Sequence, residues 1–352
     1  MRFLPELMTM NDGAPVKNGA DMARRRGELL SLLETHAYGV MPAAVPVRGE
    51  VIRETGRCCA GDARLLELKL TCRFETGEWS FPLRLFLPNE AGKRPLLLFL
   101  NFSEEPYCEY CPVEEIVDNG FALAYLYYED VTSDDGDFEN GAARFFPRTD
   151  GGTDVGKIGI WAWSLSRALD HLLTMERIDG GNVGVIGHSR LGKTALWCAA
   201  NDERVRFVCS NDSGCMGAAL HRGRNPGGET LADITRVFPY WFCGNLRKYA
   251  GTPDALPFDQ HMLLACAAPR AVLVNSAALD AWADPPSEQL ACAGASPAWE
   301  VCGAAGYLGG AEPYGENEGC LQGNVGYYKR SGVHFLGRKD WLRFMAFIRE
   351  KM

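Results

Sequence analysis

The stretch 184–194, GVIGHSRLGKT, carries two possible chemistries. Gly187 to Thr194 spells G-x-x-x-x-G-K-T. In that pattern a glycine-rich turn exposes backbone N–H groups to phosphate at a helix start, and the lysine, here Lys193, reaches the terminal phosphates. The same residues set Ser189 between an apolar run and a helical pattern, which is the strand-turn-helix setting of a hydrolase nucleophile. The phosphate reading wants the pattern after the first strand of its domain, and here several strand-like runs precede it. It also wants a Mg²⁺-directed acid after a neighbouring strand, which Asp212 in FVCSND supplies. The nucleophile reading wants a residue without a side chain at the tightest point of the turn, and Gly187 provides it. The usual second glycine of G-x-S-x-G is displaced: Leu191 stands in its place and Gly192 follows.

A serine nucleophile needs a base, and an acid to orient that base. The chain has only six histidines. His36, His171 and His261 fall in helical patterns, and His221 lies in a glycine-rich insertion. His188 adjoins Ser189 but should point away from it. His334, in SGVHFLG just before the last helix, stands where a parallel α/β sheet delivers its base. Two carboxylates end apolar strands: Asp212 in FVCSND and Asp280 in RAVLVNSAALD. Either can reach the same imidazole, with Asp280 favoured.

These side chains need a frame. Residues 20–38 read as a helix stopped by Gly39 and Pro42. EVIRET, RLLELKLTCRFE and WSFPLRLFLPN follow as antiparallel strands, so residues 1–90 form an entry section. Then short continuous apolar runs alternate with helices. The runs are RPLLLFLNF, FALAYLYY, NVGVIGHS, VRFVCSND and RAVLVNSAALD; KIGIWAWSLSRALDHLLT reads as a long amphipathic helix and RKDWLRFMAFIREK as the last. That alternation predicts an α/β fold with a mostly parallel central sheet between helical layers, spanning 1–352 as one domain. Residues 213–257 form an insertion rich in glycine and aromatics. Phe238, Tyr240, Trp241 and Phe242 in it read either as one wall of a cleft or as packing under a lid.

The net charge is −9 and no Lys/Arg-rich run occurs, which argues against nucleic acid and against an anionic membrane surface. No apolar run approaches the ~18 residues of a membrane span. Residues 1–33 lack a signal-peptide pattern, and thirteen scattered cysteines suit a reducing compartment, so a cytoplasmic location is the expectation. Cys108 and Cys111 form one CxxC, CEYC, but no second pair completes a zinc set; neither metal nor cofactor is expected.

At this point a family resemblance enters. GHSRLGK resembles the G-C-S-R-x-G-K elbow of the glucuronoyl esterases, carbohydrate esterase family 15. DSGCMGAA resembles that family's E-S-G-x-G-G, PFDQHMLLACAAPR its P-F-D-x-H-x-L-x-A-L-I-A-P-R, and DAWADP its Asp/Trp-x-x-Pro segment; SGVHFLG is a looser match. The likeness spans roughly residues 80–350. It implies an α/β-hydrolase fold and a serine esterase acting on carbohydrate esters. The implied substrate is a 4-O-methyl-glucuronoyl ester of xylan–lignin linkages, with an acetyl or other carbohydrate ester as the alternative. Ser189 would be the nucleophile, His334 the base and Arg190 the oxyanion donor. Lys193 would meet sugar hydroxyls, Trp282 would lie along the ring, and Glu229 would stand near its hydroxyls. Four positions depart from the family pattern. His188 replaces the cysteine before the nucleophile, so the family disulfide cannot form. Asp212 replaces the glutamate of E-S-G and is one methylene shorter, which adds weight to Asp280. Glu229 stands for a sugar-binding glutamine, and a sugar-binding glutamate is replaced near Phe238.

Overall fold

The computed structural model describes residues 4–149, 152–223 and 225–352. Asn18 caps the first helix, α1 (Gly19–Leu33), by accepting the Asp21 backbone N–H. A π-helical turn, Glu34–Tyr38, continues it to Gly39, whose φ of +81° ends the helix. β1 (Val47–Cys58), β2 (Ala63–Phe74) and β3 (Gly77–Pro88) form the antiparallel entry section. The α/β part follows: β4 (Arg94–Asn101), α2 (Val113–Asp118), β5 (Ala122–Tyr127), α3 (Lys157–Leu172), β6 (Ile178–His188), α4 (Arg190–Asn201) and β7 (Phe207–Asn211). Then come α5 (Leu231–Val237), α6 (Gln260–Ala265), β8 (Ala271–Ala277), α7 (Pro285–Ala295), α8 (Pro297–Glu300), β9 (Glu318–Cys320), β10 (Val325–Arg330) and α9 (Arg338–Lys351).

One sheet joins the strands in the order β1-β2-β3-β5-β4-β6-β7-β8-β10-β9. Every pair from β5 to β10 is parallel, while the β3–β5 and β9–β10 pairs are antiparallel. The apolar runs are continuous because both faces are covered. In β4, Leu96, Leu98 and Leu100 enter the core shared with α3, α4 and α6, whereas Leu97 and Phe99 enter a second core under α2 and α9. The period-2 alternation of a strand thus feeds two layers with one apolar sequence.

Helix α3 departs from its expected amphipathic form. All but three of its sixteen residues are buried, Trp161 and Trp163 among them. Its outer side is covered: Trp163 Nε1 donates to the Ala43 carbonyl, Trp161 Nε1 to that of Thr132. A loop that folds back over a helix cannot be read from the helix's own periodicity. The chain order also reverses at β4: β5 lies on one side of it and β6 on the other. Such a switch point opens a crevice at the carboxyl ends of the strands, the usual ligand site of an open α/β sheet.

Candidate active site

Ser189 stands at that crevice, between β6 and α4, with φ +57° and ψ −128°. A left-handed, strained backbone at a non-glycine residue is what lifts its side chain out of the strand-to-helix turn. The turn is tight enough that a Cβ on Gly187 would lie 2.0 Å from the Leu191 carbonyl oxygen. Gly192 is also close-packed, though less so: a Cβ there would meet Ser213 Cβ at 3.0 Å. The displaced second glycine therefore serves the packing of α4 on the loop after β7, while Leu191 is core. Ser189 N–H donates to the Asn211 carbonyl at 2.9 Å, which ties the turn to β7.

The two candidate acids have different roles. His334 Nδ1 lies 2.6 Å from Asp280 Oδ2, leaving Nε2 as the ring's other nitrogen. Asp280 Oδ1 accepts the Ala283 N–H, which fixes the carboxylate's orientation. Asp212 lies close by, since the three groups offer ligand atoms within 4.8 Å of one another, but it makes no hydrogen bond to the imidazole. Its Oδ2 accepts from Asn211 Nδ2, Arg330 Nη2 and the Phe335 N–H at 3.0, 3.0 and 3.3 Å, and Oδ1 has no partner among the described residues. Burial pushes this carboxyl up to about 8, against the pull of Arg330. Arg330 also donates to the carbonyls of Val333 and Phe335, clasping the loop that carries His334. Asp212 thus anchors that clasp. No hydrogen bond joins the Ser189 hydroxyl to His334 among the described residues; such contacts are often long before substrate binds.

Arg190 opens α4 and turns its guanidinium over the rings of Trp241, Phe102 and Phe238 at 4.8, 5.3 and 5.7 Å. Its Nη1 is paired with Asp134, and its Nε is buried without a partner among the described residues. Asp134 was not legible as a site residue. It lies in an acidic loop, SDDGDFE, where nothing distinguishes it from its neighbours. Tertiary structure brings Trp241 Nε1 to Asp134 Oδ1 at 2.7 Å and Tyr240 Oη to its carbonyl at 2.8 Å. The buried Lys157 holds the loop, donating to Thr132 Oγ1 at 2.7 Å and to the Asp137 carbonyl at 2.5 Å.

Lys193 is buried, its Nζ donating to the Ser213 carbonyl at 2.6 Å and lying 3.9 Å from Glu229 and 5.9 Å from the Trp241 ring. Burial raises the Glu229 carboxyl above its ordinary range, while Lys193 and a hydrogen bond from Trp282 lower it. Trp282 leaves half its surface open to solvent (52% exposed). An ammonium already facing a carbonyl and a carboxylate is matched to hydroxyls, which both accept and donate, more than to phosphate. The fold settles the same point, because the pattern does not follow the first strand.

His188 fills the space where the family pattern has cysteine. Its ring lies 4.5 Å from His334, 5.8 Å from Tyr110 and 6.1 Å from Phe102, and Asn211 Nδ2 contacts its Nδ1 at 2.9 Å. Burial, then the nearby His334, push its pKa well below the ordinary imidazole range. It is a neutral spacer behind the His334 ring. Glu288 was also missed; buried in α7, it accepts from Ser276 Oγ, the Gly214 N–H and Ser213 Oγ at 2.5, 2.8 and 3.2 Å, securing the loop after β7.

Residues 71–303 match the family model described as glucuronyl esterase, fungi. Carbohydrate esterase MZ0003, from an unknown prokaryotic organism, is 32% identical, the alignment covering 98% of this chain and 88% of that relative. The 4-O-methyl-glucuronoyl methylesterase of Hypocrea jecorina is 28% identical over 87% of this chain and 64% of its own length. Among solved structures, a glucuronoyl esterase from Solibacter usitatus superposes with a TM-score of 0.90 at 32% identity, covering 99% of this chain and 97% of the other. With the elbow, the switch-point crevice and the parallel sheet in place, the chain belongs to the glucuronoyl esterases of carbohydrate esterase family 15, carboxylic ester hydrolases of the α/β-hydrolase fold.

Proposed function

We propose that this chain hydrolyses 4-O-methyl-glucuronoyl esters through Ser189, His334 and Asp280. The observation that carries the reading is the 2.6 Å contact between His334 Nδ1 and Asp280, set at the crevice where Ser189 occupies a strained elbow. His334 Nε2 takes the proton as Ser189 Oγ attacks the uronoyl carbonyl, and Asp280 stabilises the resulting imidazolium. The oxyanion rests on Arg190 and on the N–H groups that open α4 ahead of Gly192, whose own N–H is taken by the Ser189 carbonyl. The alcohol leaves with the proton from His334, and water repeats the sequence on the acyl enzyme. Lys193 and Glu229 take the sugar hydroxyls, Trp282 and Trp241 the ring and the cleft wall.

The test is a substrate panel: benzyl glucuronate, p-nitrophenyl acetate and acetylated xylan, with wild type and Ser189→Ala. Glucuronate turnover that falls by up to about 10⁶ in the variant supports the assignment. Turnover of the acetyl esters alone moves the acyl group to acetate. Near-wild-type turnover by Ser189→Ala removes Ser189 as the nucleophile.

A further inference from the structure

The CEYC motif has no part in the ester chemistry, yet its turn touches the site. Cys108 and Cys111 flank Glu109 and Tyr110, and the Cys111 N–H donates to the Cys108 carbonyl at 3.1 Å. The two cysteines form an antiparallel bridge pair, so their side chains leave the same side of the ladder. A hydrogen-bonded antiparallel pair has its Cα atoms about 5.5 Å apart, inside the range of about 4.4–6.8 Å that a disulfide spans. Both are free thiols here. Cys108 is half-buried, and its sulfur accepts from Asn101 Nδ2 at 3.2 Å. Cys111 is buried. An open cavity of about 470 Å³ lies over the pair, lined by Tyr107, Glu109, Glu114, Glu115 and Arg338. Arg338 is paired with Glu115 at 2.6 Å, so the rim is net acidic.

Tyr110 links this turn to the site. Its ring lies 5.8 Å from His188 and 5.1 Å from Phe335, the residues beside Ser189 and His334, and its carbonyl accepts Trp341 Nε1 at 2.8 Å. We infer that Cys108 and Cys111 are a thiol–disulfide exchange site for small cationic disulfides, and that closing the bridge shifts Tyr110 and so the packing behind His334. The activity readout rests on the proposed ester hydrolysis; the linkage itself does not. The Cys108 thiolate attacks one sulfur of the external disulfide, forming a mixed disulfide and releasing one thiol. Cys111 then loses its proton to solvent and attacks the Cys108 sulfur, releasing the second thiol. The protein pair is oxidised by two electrons and the external disulfide is reduced by two. Cys108, half-buried with a donor at its sulfur, is the attacking residue; burial raises the Cys111 thiol well above its ordinary range, so it resolves slowly.

The experiment treats the folded enzyme with cystamine or glutathione disulfide, maps peptides under non-reducing conditions, and measures kcat and KM on benzyl glucuronate before and after a dithiol reductant. The expected result is a Cys108–Cys111 link that forms faster with cystamine than with the anionic glutathione disulfide. With it, kcat should fall about threefold or more at unchanged KM and recover on reduction. Cys108→Ser should keep basal activity and lose the response. A Cys108 that stays unlinked while other thiols react would overturn the site, and equal rates with the two disulfides would overturn the recognition. A linked protein with unchanged kcat would overturn the coupling to His334. Because the link is read by mass, it stands or falls separately from the esterase reading.

Discussion

Replacing Asp280 by asparagine keeps the shape of the side chain and removes its charge 2.6 Å from His334 Nδ1. Losing a hydrogen bond to a charged group costs about 1.5–3 kcal/mol. The imidazolium that forms as Ser189 attacks also loses its counter-charge, worth about 4 kcal/mol at ~4 Å and an effective dielectric near 20. The His334 side chain is 44% exposed, so solvent screens part of that second term. A loss of about 4 kcal/mol in transition-state stabilisation, or about 10³ in kcat, is the expected outcome; in serine proteases the equivalent change costs about 10⁴. Asp212→Asn removes a carboxyl near the imidazole but no hydrogen bond to it, and should cost about tenfold or less in kcat. It should instead lower stability by loosening the Arg330 clasp, since Arg330 keeps only Asp340, at 3.2 Å, as an acidic partner. The assay is kcat on benzyl glucuronate for both variants, with thermal melts to separate folding from chemistry. A larger kcat loss in Asp212→Asn than in Asp280→Asn, at matched stability, would refute the assignment.

Gly187→Ala puts a Cβ 2.0 Å from the Leu191 carbonyl and should destabilise the fold by about 3 kcal/mol or more, read by denaturant titration. Arg190→Ala should cost roughly 3 kcal/mol in kcat/KM. Asp134→Ala should cost part of that by freeing the guanidinium, and the double variant should be no worse than Arg190→Ala alone; full additivity would show that Asp134 does not act through Arg190. Burial pushes the carboxyl of Glu288 up to about 7, as it does Asp212 to about 8. Between pH 4 and 8 the folded state therefore holds more protons than the unfolded one, so stability falls as pH rises from about 4, by up to about 1.4 kcal/mol per pH unit per group, and levels off above the folded values. Glu288→Gln should flatten this fall in melts from about pH 5 to 8; an unchanged slope would assign it elsewhere.

The order of β4 to β8 was legible because each of those strands is apolar on both faces and each is bounded by a helical pattern. Gly187, Ser189 and Arg190 were legible because the elbow is local: turn, nucleophile and helix start lie within a few residues. So were His334 and the choice between Asp212 and Asp280, since both acids end sheet strands. The tertiary structure gives the two carboxylates different surroundings. Asp280 faces Nδ1, whereas Asp212 is turned onto Arg330, a residue of β10 with no local mark of its role. Asp134 and Glu288 were hidden for the same reason: Arg190 lies 56 residues from Asp134, and Gly214 lies 74 from Glu288. The Gly187–Thr194 spelling also matches a phosphate loop, although several strand-like runs precede it in sequence. Only the fold sets Lys193 against Ser213 and Glu229, because a lysine's function follows from the acceptors around it, and those arrive from β7 and the insertion.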